Sequence, residues 1–335
     1  MRTLEVLRAW GKILEGEKPS LSIEITKECP LRCPGCYAYD AAHLGGGLTL
    51  RELSDHKGKQ LIDGVLEVVD RFRPLHLSLV GGDPLVRYRE LEQLIPQLIN
   101  RGIHVQLVTS AFRPPAIEWA NMPRFNMVVS IDGLRAEHDI RRAPATYDRI
   151  LKNIQGHRIT IHCTVTGQMM KRPGYLDEFL QFWTPRKEIR KVWFSLFTPQ
   201  IGDRMPEILT PEERARAIAE FAEMQKRYPK LDMPAGLIRQ FRTPPRNPDD
   251  CVFALTTQVL SADLRTEVSP CQFGGKPDCA NCGCIASMGL AAVAAHKLGG
   301  IIPVGAIFRT SIRIGRRRSR PAVPVRPHTP LKVLE

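Results

Sequence analysis

Cys29, Cys33 and Cys36 form the spacing C-x3-C-x2-C directly behind a strand-like run, Leu21 to Thr26. Three thiolates this close can each hold one iron of a [4Fe–4S] cube, since cysteine thiolate is the usual ligand of such clusters. The fourth iron is then left open to a small molecule, which is a catalytic arrangement rather than a closed structural one. This constrains the fold, because the end of a strand has to carry the site. A structural zinc centre wants four ligands, and the nearby candidate for a fourth is His43. A disulfide framework does not suit a 335-residue chain with no secretory signal.

Apolar periodicity places further strands at Leu75–Val80, Ile103–Thr109, Met127–Ile131, Thr160–Val165 and Val192–Phe197. Helical patterns fall near Thr49–Arg71, Tyr88–Arg101, Thr146–Ile154, Tyr175–Trp183 and Thr210–Tyr228. In the last of these, Thr210 precedes Pro211, with Glu213 three residues on, which is an N-cap signature. Alternating strands and helices predict parallel βα units. Six strands predict an α/β fold, an open, partial (βα)6 TIM-like barrel, with ligand sites at the C-terminal strand ends. Gly81-Gly82-Asp83 and Ser130-Ile131-Asp132 fall at two more of those ends.

In this order and spacing, the triplet, Gly81-Gly82-Asp83-Pro84 and Ser130-Ile131-Asp132-Gly133 resemble the radical S-adenosylmethionine (SAM) superfamily over roughly residues 20–200. The resemblance implies a catalytic [4Fe–4S] cluster on Cys29, Cys33 and Cys36. It also implies SAM binding, by the backbone around Gly81, Gly82 and Asp83 and by Ser130 and Asp132. Glu137-His138-Asp139 and Arg141-Arg142 continue the pattern. Two positions depart from it. Gly35 stands where the family often has an aromatic residue near the adenine, as in hopanoid-associated members, and Asp83 is one methylene shorter than the family's glutamate.

Five more cysteines follow a proline-rich break: Cys251, Cys271, Cys279, Cys282 and Cys284. The residues between the first two read as a β-hairpin turning near Asp263, and Cys279-Ala280-Asn281-Cys282 is a C-x2-C knuckle. Four of the five could close around an auxiliary iron–sulfur cluster, and a zinc knuckle is the alternative. The segment resembles the small cysteine-rich β-hairpin module called twitch, a relative of SPASM, although Thr266 replaces its usual glycine. Cys163 reads as a buried core thiol. The expected organisation is an N-terminal helix (1–20), the barrel (21–232), a linker (233–250), the cysteine module (251–290) and a basic tail (291–335).

Net charge is +13, but Ala286 to Glu335 holds nine Lys/Arg against one acid. The basicity is largely a tail property, which argues against a nucleic-acid-binding core. An N-terminal helix with Leu4, Leu7, Trp10, Ile13 and Leu14 on one face either packs under the barrel or lies on a membrane surface. The tail, with Arg313, Arg316, Arg317, Arg318 and Arg320, poses the same choice. Nine cysteines without a signal peptide suggest a reducing, cytoplasmic setting, with membrane-peripheral attachment as the alternative.

The family resemblance implies reductive cleavage of SAM to a 5′-deoxyadenosyl radical, with an electron from a reductant such as flavodoxin or ferredoxin. The radical would then modify an unreactive carbon. A lipid or isoprenoid substrate fits the basic tail and the hopanoid-like cysteines, whereas a peptide substrate fits the auxiliary-cluster resemblance. A non-enzymatic iron–sulfur electron carrier is a third reading, and the SAM-binding-like segments argue against it.

Overall fold

Seven strands, all parallel, form one sheet in the computed structural model, which describes residues 3–45, 48–144, 147–298 and 301–318. They are β1 (Ser20–Glu24), β2 (His76–Val80), β3 (His104–Thr109), β4 (Phe125–Ser130), β5 (Ile159–Val165), β6 (Ile189–Leu196) and β7 (Thr257–Leu260). The order across the sheet is β6-β5-β4-β3-β2-β1-β7. The six strands expected from the sequence are all present. The seventh is the first arm of the expected hairpin, and it pairs parallel with β1 instead of standing in a separate module. Its return arm is reduced to one bridge, Leu260 to Glu267, around an Asp263 turn whose Oδ1 accepts from the N–H of Arg265 and of Thr266. The free edge of β1 offers a whole strand's unpaired groups, so the arm that reaches it is drawn into the sheet.

Successive side chains of a strand point to opposite faces, and the two faces here differ in chemistry. On the outer face, Leu21, Ile23, Leu77, Leu79, Val105 and Leu107 are buried with helices Gly58–Phe72 and Tyr88–Asn100. Met127, Val129, Ile161, Val192 and Phe194 continue that layer with helices Tyr175–Trp183 and Pro211–Arg227. Thr210 caps the second of these through the capping box expected from the sequence. The inner face is polar. Ser22, Ser78, Gln106 and Asn126 lie side by side in register, and Asn126 Oδ1 accepts from Thr160 Oγ1 at 3.0 Å. Fully covered parallel strands usually read as continuous apolar runs. The alternation here marks an inner face built to meet polar groups.

Both sheet edges are covered. Beyond β6, Val192 bridges to Leu231. Residues 233–250, expected as a linker, contain a short helix, Ala235–Gln240, and Ile238 and Phe241 are buried in the same core as β6. The helix expected at Thr49–Arg71 is a 3-10 turn, Leu50–Glu52, followed by the helix Gly58–Phe72.

The N-terminal helix, Thr3–Glu15, packs against the C-terminal helix, Val304–Arg318. Trp10 stacks on Phe308 at 5.9 Å and its indole N–H donates to Ser311 Oγ at 3.2 Å. Of the two alternatives for the N-terminal helix, the structure shows the packed one for Trp10 and Ile13, whereas Leu7 is exposed. No helix among the described residues is long and apolar enough to cross a membrane. Arg320, Arg326, Lys332 and Glu335 of the basic tail, and Thr146 at an expected helix start, lie outside the described residues, as do the side chains of Leu4 and Arg318.

Candidate functional site

The loop after β1 carries the cysteine triplet to the C-terminal mouth of the sheet. Cys29, Cys33 and Cys36 are free and half-buried. Burial pushes the Cys29 thiol up to about 12, with Asp83, Cys33 and Cys36 adding to the shift. Burial and the neighbouring Cys33 raise Cys36 as well. Thiols raised in this way, as Cys29 and Cys36 are, keep their protons until a cation displaces them, and a bound metal deprotonates a coordinating thiol outright. Among the described residues, no three Cys, His, Asp or Glu side chains converge as one metal ion requires. A [4Fe–4S] cube asks one thiolate of each iron, and three free cysteines on one short loop offer three.

The loop after β2 is fixed against this one. Gly81 (φ +86°) and Gly82 (φ +20°) pass so close to the β1 loop that a Cβ would lie 2.4 Å from Glu24 Cβ and 2.1 Å from the Glu28 carbonyl oxygen. Glycine is obligatory at both. The Asp83 N–H donates to that same carbonyl at 2.9 Å. The Asp83 carboxylate is fully engaged by the protein. Oδ1 accepts from Leu85 N–H at 3.0 Å and Thr109 Oγ1 at 2.6 Å, and Oδ2 from Ser110 N–H at 2.8 Å and Ser110 Oγ at 2.5 Å. Burial raises this carboxyl, with the hydrogen bonds opposing. Its side chain therefore shapes the loop and leaves the backbone to meet a ligand.

Arg87, on the turn Pro84–Arg87, bonds Glu28 at 2.9 Å and Asp55 at 2.7 Å. Arg87 and Lys57 together hold the Glu28 carboxyl at about 2. Nothing in the local spacing of Glu28, Asp55 and Arg87 marks them as one network.

After β4, Asp132 is buried between two arginines, with Oδ2 3.1 Å from Arg141 Nε and 2.8 Å from an Arg142 terminal nitrogen. Its Oδ1 accepts from Thr164 N–H at 2.8 Å. Burial pushes this carboxyl up, but Arg142 and Arg141 outweigh it and hold it well below the usual range. Burial opposes the charge of Arg142, while Asp132, Cys33 and Cys36 strengthen it. Arg142 thus pairs with Asp132 within electrostatic reach of Cys33 and Cys36, and the Arg32 N–H donates to the Ala143 carbonyl at 2.6 Å. Ser130 lies in register with His162. Burial lowers the His162 imidazole to about 4, so it is neutral, and its Nε2 is 2.8 Å from Ser195 Oγ.

Two residues missed from the sequence stand beside Gly35 (φ +61°). A Cβ there would lie 3.3 Å from the Phe197 ring and 3.3 Å from Met205 Sδ. The absence of an aromatic at position 35 was the signal that another element had to fill this space.

His43 is not free to ligate. Its Nε2 is 2.8 Å from Glu24 Oε1 and its Nδ1 is 2.9 Å from the Phe273 carbonyl. Both partners are acceptors, so both ring nitrogens carry protons. Ser261 Oγ donates to the other Glu24 oxygen at 2.6 Å. This buried pair ties the β1 loop to the C-terminal cysteine segment.

Cys251, Cys271, Cys279, Cys282 and Cys284 come together around one small cavity. The segment is stitched to the chain leaving β6. Leu196 N–H donates to the Gly283 carbonyl at 3.0 Å, Ile201 N–H to Lys276 at 2.8 Å and Asp278 N–H to Pro199 at 2.9 Å. A Cβ at Gly283 would lie 2.0 Å from the Leu196 oxygen. Burial raises the Cys271 thiol to about 12 and the Cys279 thiol to about 11. Cys163 is buried in the core against β6.

A family model described as the radical SAM superfamily matches residues 23–181. The Fe-coproporphyrin III synthase of Methanosarcina barkeri is 24% identical over 232 residues, which cover 66% of this chain and 55% of that protein. The PqqA peptide cyclase of Rhodopseudomonas palustris is 31% identical over 108 residues, covering 32% and 26%. The chain thus spans about half or less of the length of these curated relatives. Among solved structures, native anSMEcpe with bound AdoMet aligns with a TM-score of 0.56 at 16% identity, covering 76% of this chain and 75% of that one. Streptococcus suis SuiB bound to the precursor peptide SuiA aligns with a TM-score of 0.56 at 14% identity, covering 95% and 70%. At these identities the structures show a shared fold.

Proposed function

Because the chain belongs to the radical SAM superfamily, we propose that it cleaves SAM reductively at the C-terminal mouth of the sheet and modifies a polar substrate there. The observation that carries this reading is the meeting of three half-buried cysteines, the Gly81-Gly82-Asp83 loop and the Asp132–Arg142 pair at one strand-end surface. Cys29, Cys33 and Cys36 would hold a [4Fe–4S] cluster, which supplies the electron that splits the sulfonium bond into methionine and a 5′-deoxyadenosyl radical. The backbone at Gly81, Gly82 and Asp83 would receive the methionine end of SAM. Ser130, and Asp132 held ionised by its arginines, would face the ribose side. Phe197 and Met205 would supply the flat apolar surface for the adenine that Gly35 does not. Arg142 would offset the negative charge that three thiolates gather. A low-potential reductant of the flavodoxin or ferredoxin class is the partner this chemistry needs.

The inner face speaks to the substrate. Ser22, Ser78, Gln106, Asn126 and Thr160 line it, and the Ser22 hydroxyl is buried without a partner among the described residues. Burying such a group against a lipid tail costs free energy wherever it is left unpaired, as Ser22 is. This row favours a peptide or another hydrogen-bonding substrate over a lipid or isoprenoid. One of the curated relatives is by its name a peptide cyclase, which agrees with that preference. Four of the five C-terminal cysteines would hold an auxiliary iron–sulfur cluster.

The test is anaerobic reconstitution with iron and sulfide, followed by SAM and dithionite. The wild-type chain is expected to release 5′-deoxyadenosine and the Cys33→Ala chain none. Equal release from both would sink the reading. Changing Cys29, Cys33 and Cys36 together to Ala should leave about four irons per chain if the C-terminal cysteines hold a cube. Zinc in their place would make that segment structural.

A further inference from the structure

The two cysteine sites are joined by a pair of rings that neither site needs for ligation. Tyr37 directly follows Cys36, and its ring meets Phe273 edge-on, with centroids 5.3 Å apart and planes at 86°. Phe273 lies two residues beyond Cys271 and on the wall of the C-terminal cysteine cavity. The Tyr37 side chain thus has a neighbour from each site, Cys36 along the chain and Phe273 across the ring contact.

Both rings are clamped. The His43 ring packs on Tyr37 at 5.7 Å, and its Nδ1–H holds the Phe273 carbonyl at 2.9 Å. Behind Phe273, the Gly274 backbone is so close that a Cβ would lie 1.9 Å from the His43 carbonyl oxygen. Edge-to-face contact is a preferred aromatic geometry, and here the buried His43–Glu24 pair reinforces it. A simple partition between two metal sites could be built from any apolar side chains. Two rings in van der Waals contact, each next to a cysteine of a different site, give a short route through delocalised electrons.

We propose that Tyr37 and Phe273 form a fixed bridge through which one electron passes between the two cysteine sites. The proposal rests on the reading that both sites hold iron–sulfur clusters. In the exchange, one cluster is oxidised by one electron and the other is reduced by one. No bond forms or breaks, no proton moves, and neither ring changes its oxidation state, since the electron tunnels across them. The electron enters from a low-potential one-electron donor of the ferredoxin or flavodoxin class. The chemical role of the bridge is to let the two clusters share that electron within a single chain.

The test uses the full chain with both clusters reconstituted, as wild type and as Tyr37→Leu, Phe273→Leu and Tyr37→Phe. A light pulse with deazaflavin delivers one electron per chain. Samples frozen at increasing delays are read by electron paramagnetic resonance for the share of spin on each cluster. SAM is added to one set, to mark the signal of the triplet cluster. Both Leu variants should reach the final distribution several-fold more slowly, with iron content and midpoint potentials unchanged, and Tyr37→Phe should keep the wild-type rate. Wild-type rates in Leu variants that retain both clusters would overturn the bridge alone. Absence of iron from the C-terminal site of the wild-type chain would overturn the auxiliary-cluster reading, and the bridge with it.

Discussion

Asp83 shows how a residue can be found from the sequence and still be misread in detail. Its place behind an apolar run and two glycines was legible, because strand ends and tight turns have local signatures. The engagement of its carboxylate was not, because Thr109 and Ser110 arrive from the next strand. Its short length is what the pocket requires, with four donors closing on two oxygens of a fully buried side chain. Restoring the family's longer acid should therefore harm the protein. Asp83→Glu forces an extra methylene into a packed site and is expected to cost about 1–3 kcal/mol of stability. SAM binding should weaken in the same variant, because the loop shifts. Thermal unfolding and calorimetric titration with SAM would check both, and a Glu variant as stable as wild type would show that the pocket has room to spare. Phe197 and Met205 stayed hidden for the same reason. Both reach Gly35 from the segment that follows β6, and no spacing along the chain records that.

At the scale of elements, the amphipathic pattern of the N-terminal helix was legible but its partner was not. The hydrogen bond from Trp10 to Ser311 spans 301 positions, and an apolar stripe reads the same whether it meets lipid or protein. What settles the packing is a small residue on the far side. A Cβ at Gly315 would lie 2.2 Å from the Ile13 carbonyl oxygen, so the two helices touch backbone to backbone. Gly315→Val should prise them apart. Amide hydrogen exchange is expected to quicken in residues 3–15 and 304–318 and to stay unchanged in β1 to β6. Exchange as slow as wild type in both helices would mean that the contact at Gly315 does not hold them together. The strands illustrate the opposite case. Their alternation is written locally, so β1 to β6 were legible to within a few residues, whereas β7 was legible only as half of a hairpin because its true partner is β1.

For the molecule as a whole, the buried His43–Glu24 pair is the joint between the barrel and the cysteine-rich segment. Burial alone would lower the His43 pKa, but the hydrogen bond and charge of Glu24 prevail and raise it above its ordinary value near 6.5. A group whose pKa is raised on folding contributes stability that is fully present below the unfolded value and is lost as pH rises through the folded one. His43→Leu leaves a buried carboxylate without its partner and should destabilise the fold by roughly 3–5 kcal/mol. That gap should be widest below about pH 6.5 and should narrow as the solution becomes more alkaline. Denaturant unfolding of both chains across this range would measure it, and a gap independent of pH would show that His43 is not charged in the folded protein.

The same joint sets an order of events during synthesis. His43 and Phe273 are 230 positions apart. At about 5–20 residues per second, a ribosome needs on the order of tens of seconds to cover that distance. Throughout that interval the first three cysteines have emerged while the segment that braces their loop has not been made. Iron delivered early would meet thiols on an unbraced loop. The loop that carries the first three cysteines is therefore among the last parts of the chain to be braced.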